Sequence, residues 1–229
     1  VQFGNLIVGK AEIFFRLLSQ HLNVDIKSQT AGILDALYEY NGSLKSLSVK
    51  NKGTWLPKNF SASGVFNKKK RNTNITWFND YKNVNYVNVP SIDLKKYHEI
   101  QKSSLVDVID PITAFMRVIE KINEQNNCDK SFKVFDGRRR YNLKIKTIGN
   151  SVIDNDRPKS YKGNVLICGL RVFPIGGHRL KTKWKPNEDK ISDFKVFFGK
   201  NFNEDYIPVR VQIERWFGTI VIRLIQRLS

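Results

Sequence analysis

The sequence predicts a mainly β protein. Residues 1–229 form a single exported domain in which a barrel, a sandwich or a curled antiparallel sheet carries one main amphipathic helix on its concave face. Three observations lead there. Apolar and polar residues alternate with a period of two through most of the chain. The alternating runs recur about every ten residues, the spacing of a barrel or sandwich. A single stretch of the chain has a clear helical period.

The elements follow in order. Val1 and Phe3, then residues 6–8, read as an opening strand. A chain that starts inside a strand is expected of a protein trimmed of its export signal and lacking part of its first strand. Residues 11–18, 22–28, 34–40 and 44–49 are strand candidates, and Asn41-Gly42 between the last two has the composition of a hairpin turn. Strands at 60–66 and 74–78 are joined by the basic segment 67–72, read as a turn. Residues 94–108 have a weak helical pattern.

The main helix is expected over 110–126. Asp110 is its cap, and Pro111 suits the first turn, where its missing N–H would be unpaired in any case. Ile112, Phe115, Met116, Ile119 and Ile122 line one face, with Arg117, Glu120 and Lys121 opposite. Beyond it, Tyr141, Leu143, Ile145 and Thr147 alternate with polar residues, as do Ile207, Val209, Val211 and Ile213. Residues 165–173 are apolar on both faces and read as a central strand. Gly218 separates the strand at 207–213 from the run 219–228, giving a C-terminal hairpin. Residues 150–163 and 181–189 are read as loops.

Composition narrows the class. The apolar runs are too short to span a bilayer, so the chain is not membrane-spanning. The formal net charge of +18 favours polyanions: anionic lipid head groups, envelope phosphates or nucleic acid. Solvated lysines of an AT-rich genome are the plainer source of the same charge. A nucleic-acid module would interleave exposed aromatics with its basic patch, and here the aromatics occupy strand-like apolar positions, so nucleic acid is disfavoured.

Cys128 and Cys168 form an even pair beside strands, which favours one structural disulfide and an oxidising, exported location over two buried free thiols. No C-x-x-C is present and the three histidines are scattered, so neither a metal nor a cofactor is expected. In the segment 135–141, Asp136-Gly137 makes a turn and Arg138, Arg139, Arg140 and Tyr141 enter a strand. Alternation there sets Arg138 and Arg140 on one face, Arg139 and Tyr141 on the other. One of these arginines can grip an anionic head group through its planar guanidinium, or Asp136 can pair with it. Gly176 and Gly177 permit a sharp reversal that leaves His178 beside it, as a ligand residue or a loop histidine bonded to backbone.

These segments in combination resemble a bacterial family of exported proteins, domain of unknown function 3108 (DUF3108). The resemblance rests on Asp110-Pro111 opening a helix that carries Ala114, then Cys128, then residues 134–141. It continues through Tyr161-Lys162-Gly163, Cys168, the segment 174–178 and the strand at Pro208-Val209-Arg210. Gly4 to Ala11, Thr30-Ala31-Gly32 and Leu56-Pro57-Lys58 fit its opening strands. The resemblance implies a periplasmic location and a curled antiparallel sheet or open β-barrel wrapped around the helix. That outline is similar to carriers of lipoproteins and lipids between bacterial membranes. It implies no established activity.

The leading expectation is a periplasmic, non-enzymatic binding protein for a lipid or another amphipathic anionic envelope ligand. It predicts an apolar cavity with Arg138 or Arg139 near its mouth and Tyr141 and His178 close by. The rival is a structural or interaction protein that docks on an envelope partner through a sheet edge or its basic face. A hydrolase using His178 with Asp136 lacks a recognisable constellation.

Overall fold

A computed structural model describes residues 1–4, 6–32, 39–66, 68–154, 157–181 and 190–225. Two antiparallel sheets, not closed into a barrel, enclose one α-helix. The first sheet is a six-stranded meander: β3 (Gly9–Leu18), β4 (His21–Thr30), β5 (Tyr40–Asn51), β6 (Thr54–Phe66), β7 (Lys69–Trp77) and β8 (Val84–Val89), each paired with the next. The second has eight strands in the order β2-β1-β14-β13-β12-β11-β10-β9. It comprises β1 (Gln2–Phe3), β2 (Leu6–Ile7), β9 (Lys130–Phe135), β10 (Arg140–Ile153), β11 (Gly163–Gly176), β12 (Phe194–Lys200), β13 (Tyr206–Arg215) and β14 (Gly218–Arg223). The N-terminal strand β1 joins the C-terminal strand β14, with Gln2 opposite Val221 and Phe3 opposite Ile220.

Helix α1 (Pro111–Gln125) is the layer between the sheets. Asp110 caps it as expected, accepting from the N–H groups of Ile112 and Thr113 at 2.9 and 3.0 Å, and Asn126 ends it in the left-handed conformation. The face with Ala114, Val118 and Ile122 packs on Phe132, Val134, Ile145, Leu166, Val196 and Phe198 of the eight-stranded sheet. Ile112 and Met116 pack on Leu22, Val24 and Trp55 of the other sheet. The polar face is therefore covered too. The Arg117 guanidinium donates from Nε to the Trp55 carbonyl at 2.6 Å, and Glu120 pairs with Lys50 at 2.7 Å. A lone amphipathic helix between two sheets buries both sides, which the sequence period alone does not reveal.

Cys128 and Cys168 are joined as expected, with a Cα–Cα distance of 6.2 Å. Cys128 lies between the end of α1 and β9. Cys168 sits in the middle of β11, opposite Thr147 of β10, whose hydroxyl accepts from the Cys128 N–H at 3.0 Å. The bridge thus crosses β10 and fixes the helix exit to the centre of the sheet.

Four local expectations are corrected. Asn41-Gly42 is not a turn: both residues lie inside β5, opposite Val65 and Gly64 of β6. The Gly42 Cα packs beside Tyr40, where a Cβ would fall 2.2 Å from the Tyr40 hydroxyl, so the glycine serves close packing rather than reversal. The candidate strand 34–40 lies outside the described residues apart from Glu39 and Tyr40. The basic turn is shorter than read, because Lys69, Lys70, Arg71 and Asn72 already belong to β7 and pair with residues 63–66 of β6. Residues 94–108 form no α-helix. They hold one 3-10 turn, Lys102–Leu105, and an irregular path whose carbonyls bond to neighbours far along the chain. Finally, Arg138 and Arg139 precede β10 in a turn, and a register shift at Arg140/Tyr141 breaks the simple alternation.

Candidate functional site

Two of the sequence motifs interlock at one corner, where the sheets meet. In the turn after β9, the Asp136 carboxylate accepts from the backbone N–H groups of Arg138 and Arg139 at 2.9 and 2.6 Å. The carboxylate thus organises the loop through backbone groups. Burial is the main influence on its pKa and raises it, against those hydrogen bonds. Gly137 rests on β7, where a Cβ would lie 2.0 Å from the Thr73 methyl, and its carbonyl accepts from Asn88 Nδ2 at 2.7 Å. Gly177 has φ +77°, and a Cβ there would lie 1.9 Å from the Arg138 carbonyl oxygen. Gly176 also packs closely on backbone, where a Cβ would lie 2.6 Å from the Glu99 carbonyl oxygen. Gly176 and Gly177 therefore let one backbone touch another.

This corner gathers side chains from four segments, three of which supply arginines. Arg71 comes from β7, Arg138 and Arg139 from the turn after β9, and Arg179 from beyond β11. Tyr97 and His98 come from the irregular segment between β8 and α1. The segments are tied by backbone bonds: His98 N–H to the His178 carbonyl at 2.9 Å, Gly177 N–H to the His98 carbonyl at 2.8 Å, and a bridge between Tyr97 and Arg179. Hydrogen bonding from Arg179 is the largest influence holding the Tyr97 phenol below its ordinary pKa, and Arg71 adds to it. Arg138 donates from Nη2 to the Pro90 carbonyl at 2.9 Å, which aims its head group along the same rim. Its pKa is lowered, first by desolvation and then by the charge of Arg71. The His98 and His178 rings lie 4.1 Å apart, and burial, followed by the His98 neighbour, lowers the pKa of His178. Among the described residues, no ion pair joins Arg71, Arg138, Arg139 or Arg179 to a carboxylate.

The predicted site residues divide accordingly. Arg138, Arg139 and His178 meet at this corner. Tyr141 is turned into the core against the helix-side cluster, and burial pushes its phenol well above its usual range. Arg140, buried, donates to the carbonyls of Ser104 and Tyr141 and to Asn142 at 2.8, 2.6 and 2.9 Å, and so braces the 3-10 turn. The sequence reading missed Arg71, Tyr97, His98 and Arg179 as members. Arg179 adjoins His178 and was within reach of the motif. Tyr97 and His98 gave no signal, because only the fold brings their segment here.

One apolar cavity is present away from the corner. It lies between α1 and the eight-stranded sheet, lined by Pro111, Phe115, Val118, Leu143, Ile145, Cys168, Leu170, Val196 and Phe198. Neither Arg138 nor Arg139 stands at its mouth. Its volume of about 30 Å³ is room for a water or two. A larger concavity of about 480 Å³ lies on the outer face of the six-stranded sheet, among Asn23, Asp25, Lys45, Ser61, Asn74 and Thr76. Among the described residues, no cluster of three or more His, Cys, Asp or Glu side chains is positioned for a metal, and no helix is long and apolar enough to cross a membrane.

Comparison with curated proteins finds no match. Among solved structures the chain is similar to a β-barrel-like protein of domain of unknown function DUF1849 from Brucella abortus. The two share 8% identity and a TM-score of 0.48 over 96% of this chain and 89% of that one. Residues 1–225 match the family model described as "Protein of unknown function (DUF3108)", so the chain belongs to the DUF3108 family.

Proposed function

We propose that this protein is a non-enzymatic periplasmic binding protein that takes the phosphate-bearing head group of an envelope lipid at the basic corner. The observation that carries the reading is the convergence of Arg71, Arg138 and Arg179 around Tyr97, with none of the three in an ion pair with a carboxylate among the described residues and Asp136 the one acid whose charge reaches Arg138. Guanidinium groups grouped in this way suit a phosphate, which accepts several charge-assisted hydrogen bonds at once. The apolar cleft beside α1, at about 30 Å³, is too small for an acyl chain, which favours a head group gripped at the surface. The disulfide supports an oxidising compartment. Asp136 holds the turn through its carboxylate, so it is not the acid partner that a hydrolase built on His178 would require.

The test is co-sedimentation with phosphatidylglycerol vesicles against phosphatidylcholine vesicles at moderate salt. Wild type is expected to sediment with the anionic vesicles. Arg71→Ala with Arg138→Ala is expected to weaken binding about tenfold or more, as befits the loss of two charge-assisted contacts. Lys130→Ala with Lys133→Ala, on β9, removes the same charge elsewhere. Equal weakening by both pairs would mean a diffuse attraction from the +18 charge and would overturn the site.

A further inference from the structure

Strand β3 is a free edge of unusual character. It pairs with β4 along its whole length, from Gly9 opposite Thr30 to Leu18 opposite His21, with no register shift. On its other side no described strand is paired to it. Every second residue along that side therefore turns its N–H and C=O outward. Edge strands are usually short, bulged or interrupted by proline, and β3 is ten residues long with none of these. Its odd-numbered face carries Ala11, Ile13, Phe15 and Leu17. That face continues the core face of β4, because Ile13, Phe15 and Leu17 stand opposite Ile26, Val24 and Leu22. Val24 and Leu22 are buried, whereas Ile13, Phe15 and Leu17 are 47%, 55% and 62% exposed. The apolar face of the sheet thus runs one strand beyond its cover.

The other face of β3 carries Lys10, Glu12, Phe14, Arg16 and Leu18. Glu12 and Arg16 are placed symmetrically about Phe14. In an antiparallel pair, residues opposite one another share a face, so a strand that pairs with its own copy does so about a residue. Centring the pair on Phe14 sets each Glu12 opposite the Arg16 of the second copy. It also sets Ile13 opposite Phe15 and Ala11 opposite Leu17. Centring it on Ile13 places Arg16 opposite Lys10, and centring it on Phe15 leaves both charges opposite apolar residues. One register is thus favoured by charge and apolar pairing together.

We propose that β3 pairs antiparallel with β3 of a second copy about Phe14, forming a two-fold dimer with one continuous twelve-stranded sheet built from the two six-stranded sheets. The pair satisfies the outward backbone groups and covers the exposed row of Ile13, Phe15 and Leu17. It does not depend on the basic corner, which is carried by other strands.

Sedimentation equilibrium over a concentration series tests the proposal, with circular dichroism and disulfide content as checks on folding. Wild type is expected to dimerise. Glu12→Arg and Arg16→Glu each create two like-charge pairs and are each expected to raise the dimer dissociation constant about tenfold or more. The double variant Glu12→Arg/Arg16→Glu restores the complementarity and the dimer. An equimolar mixture of the two single variants is expected to form the heterodimer, since one strand is then basic at both positions and the other acidic. A wild type that stays monomeric at every concentration overturns the proposal, as would be seen if another segment or partner covers β3. A dimer indifferent to both single reversals overturns the register and therefore the proposal.

Discussion

Gly177 occupies a position no other residue fits. Its φ of +77° lies in the left-handed region, and its Cα rests against the Arg138 backbone. Gly177→Ala must push two strand ends apart, and a loss of more than about 2 kcal/mol of unfolding free energy is expected in urea titration. Arg138 and Asp136, a short way off in space, are held by backbone partners, so their part in the motif is first to build the corner. His178 provides a pH dependence. Its lowered pKa favours the neutral ring in the free protein. Stability linked to it is therefore present above the ordinary value of 6.5 and is lost as pH falls through the lower folded value. A bound phosphate would favour the charged ring, so binding takes up a proton. Affinity for anionic vesicles is expected to rise as pH falls below 6.5, and His178→Ala is expected to flatten that rise.

At the scale of elements, α1 depends on its first turn. Asp110 is buried and accepts from two backbone N–H groups and from the hydroxyls of Thr113 at 2.5 Å and Ser46 at 3.1 Å. Ser48 and Thr113 share a further bond of 2.7 Å, so the helix start is fastened to β5 by polar groups inside the core. Asp110→Ala removes a cap and leaves two buried hydroxyls without their acceptor. The expected cost is about 3 kcal/mol, larger than the 1 kcal/mol or so of an exposed cap, measured by denaturant unfolding. The Asp-Pro pair made this cap legible in the sequence. Its tie to Ser46 was not legible, since a serine in a strand gives no sign of what lies above it. Asn41-Gly42 shows the opposite failure: the dipeptide favours a turn, and pairing with β6 on one side and β4 on the other holds it extended.

Across the whole molecule, the disulfide closes a loop of 40 residues that contains β9, β10 and half of β11. In the chain-entropy picture this contributes about 4 kcal/mol, and Cys128→Ala/Cys168→Ala is expected to lose about 2–4 kcal/mol in guanidinium unfolding. The bridge also ties the exit of α1 to the centre of its sheet, so the helix-side core around Phe198 and Val118 is expected to loosen first in hydrogen exchange when the bridge is absent.

The sequence by itself determined the strand-rich class, the span and cap of α1, the cysteine pair and the family. Each of these is written in local chemistry: a period of two, a period of 3.6, an Asp-Pro start, two cysteines in motifs of their own. The tertiary structure alone decided that Arg71, Tyr97, His98 and Arg179 join Arg138 and His178, that the apolar cleft lies away from those arginines, and that β3 keeps an open edge. Periodicity reports which face of a strand is apolar. It does not report which strand lies beside it or whether anything covers the face, because neighbours in a sheet are set by pairing between residues far apart in the chain.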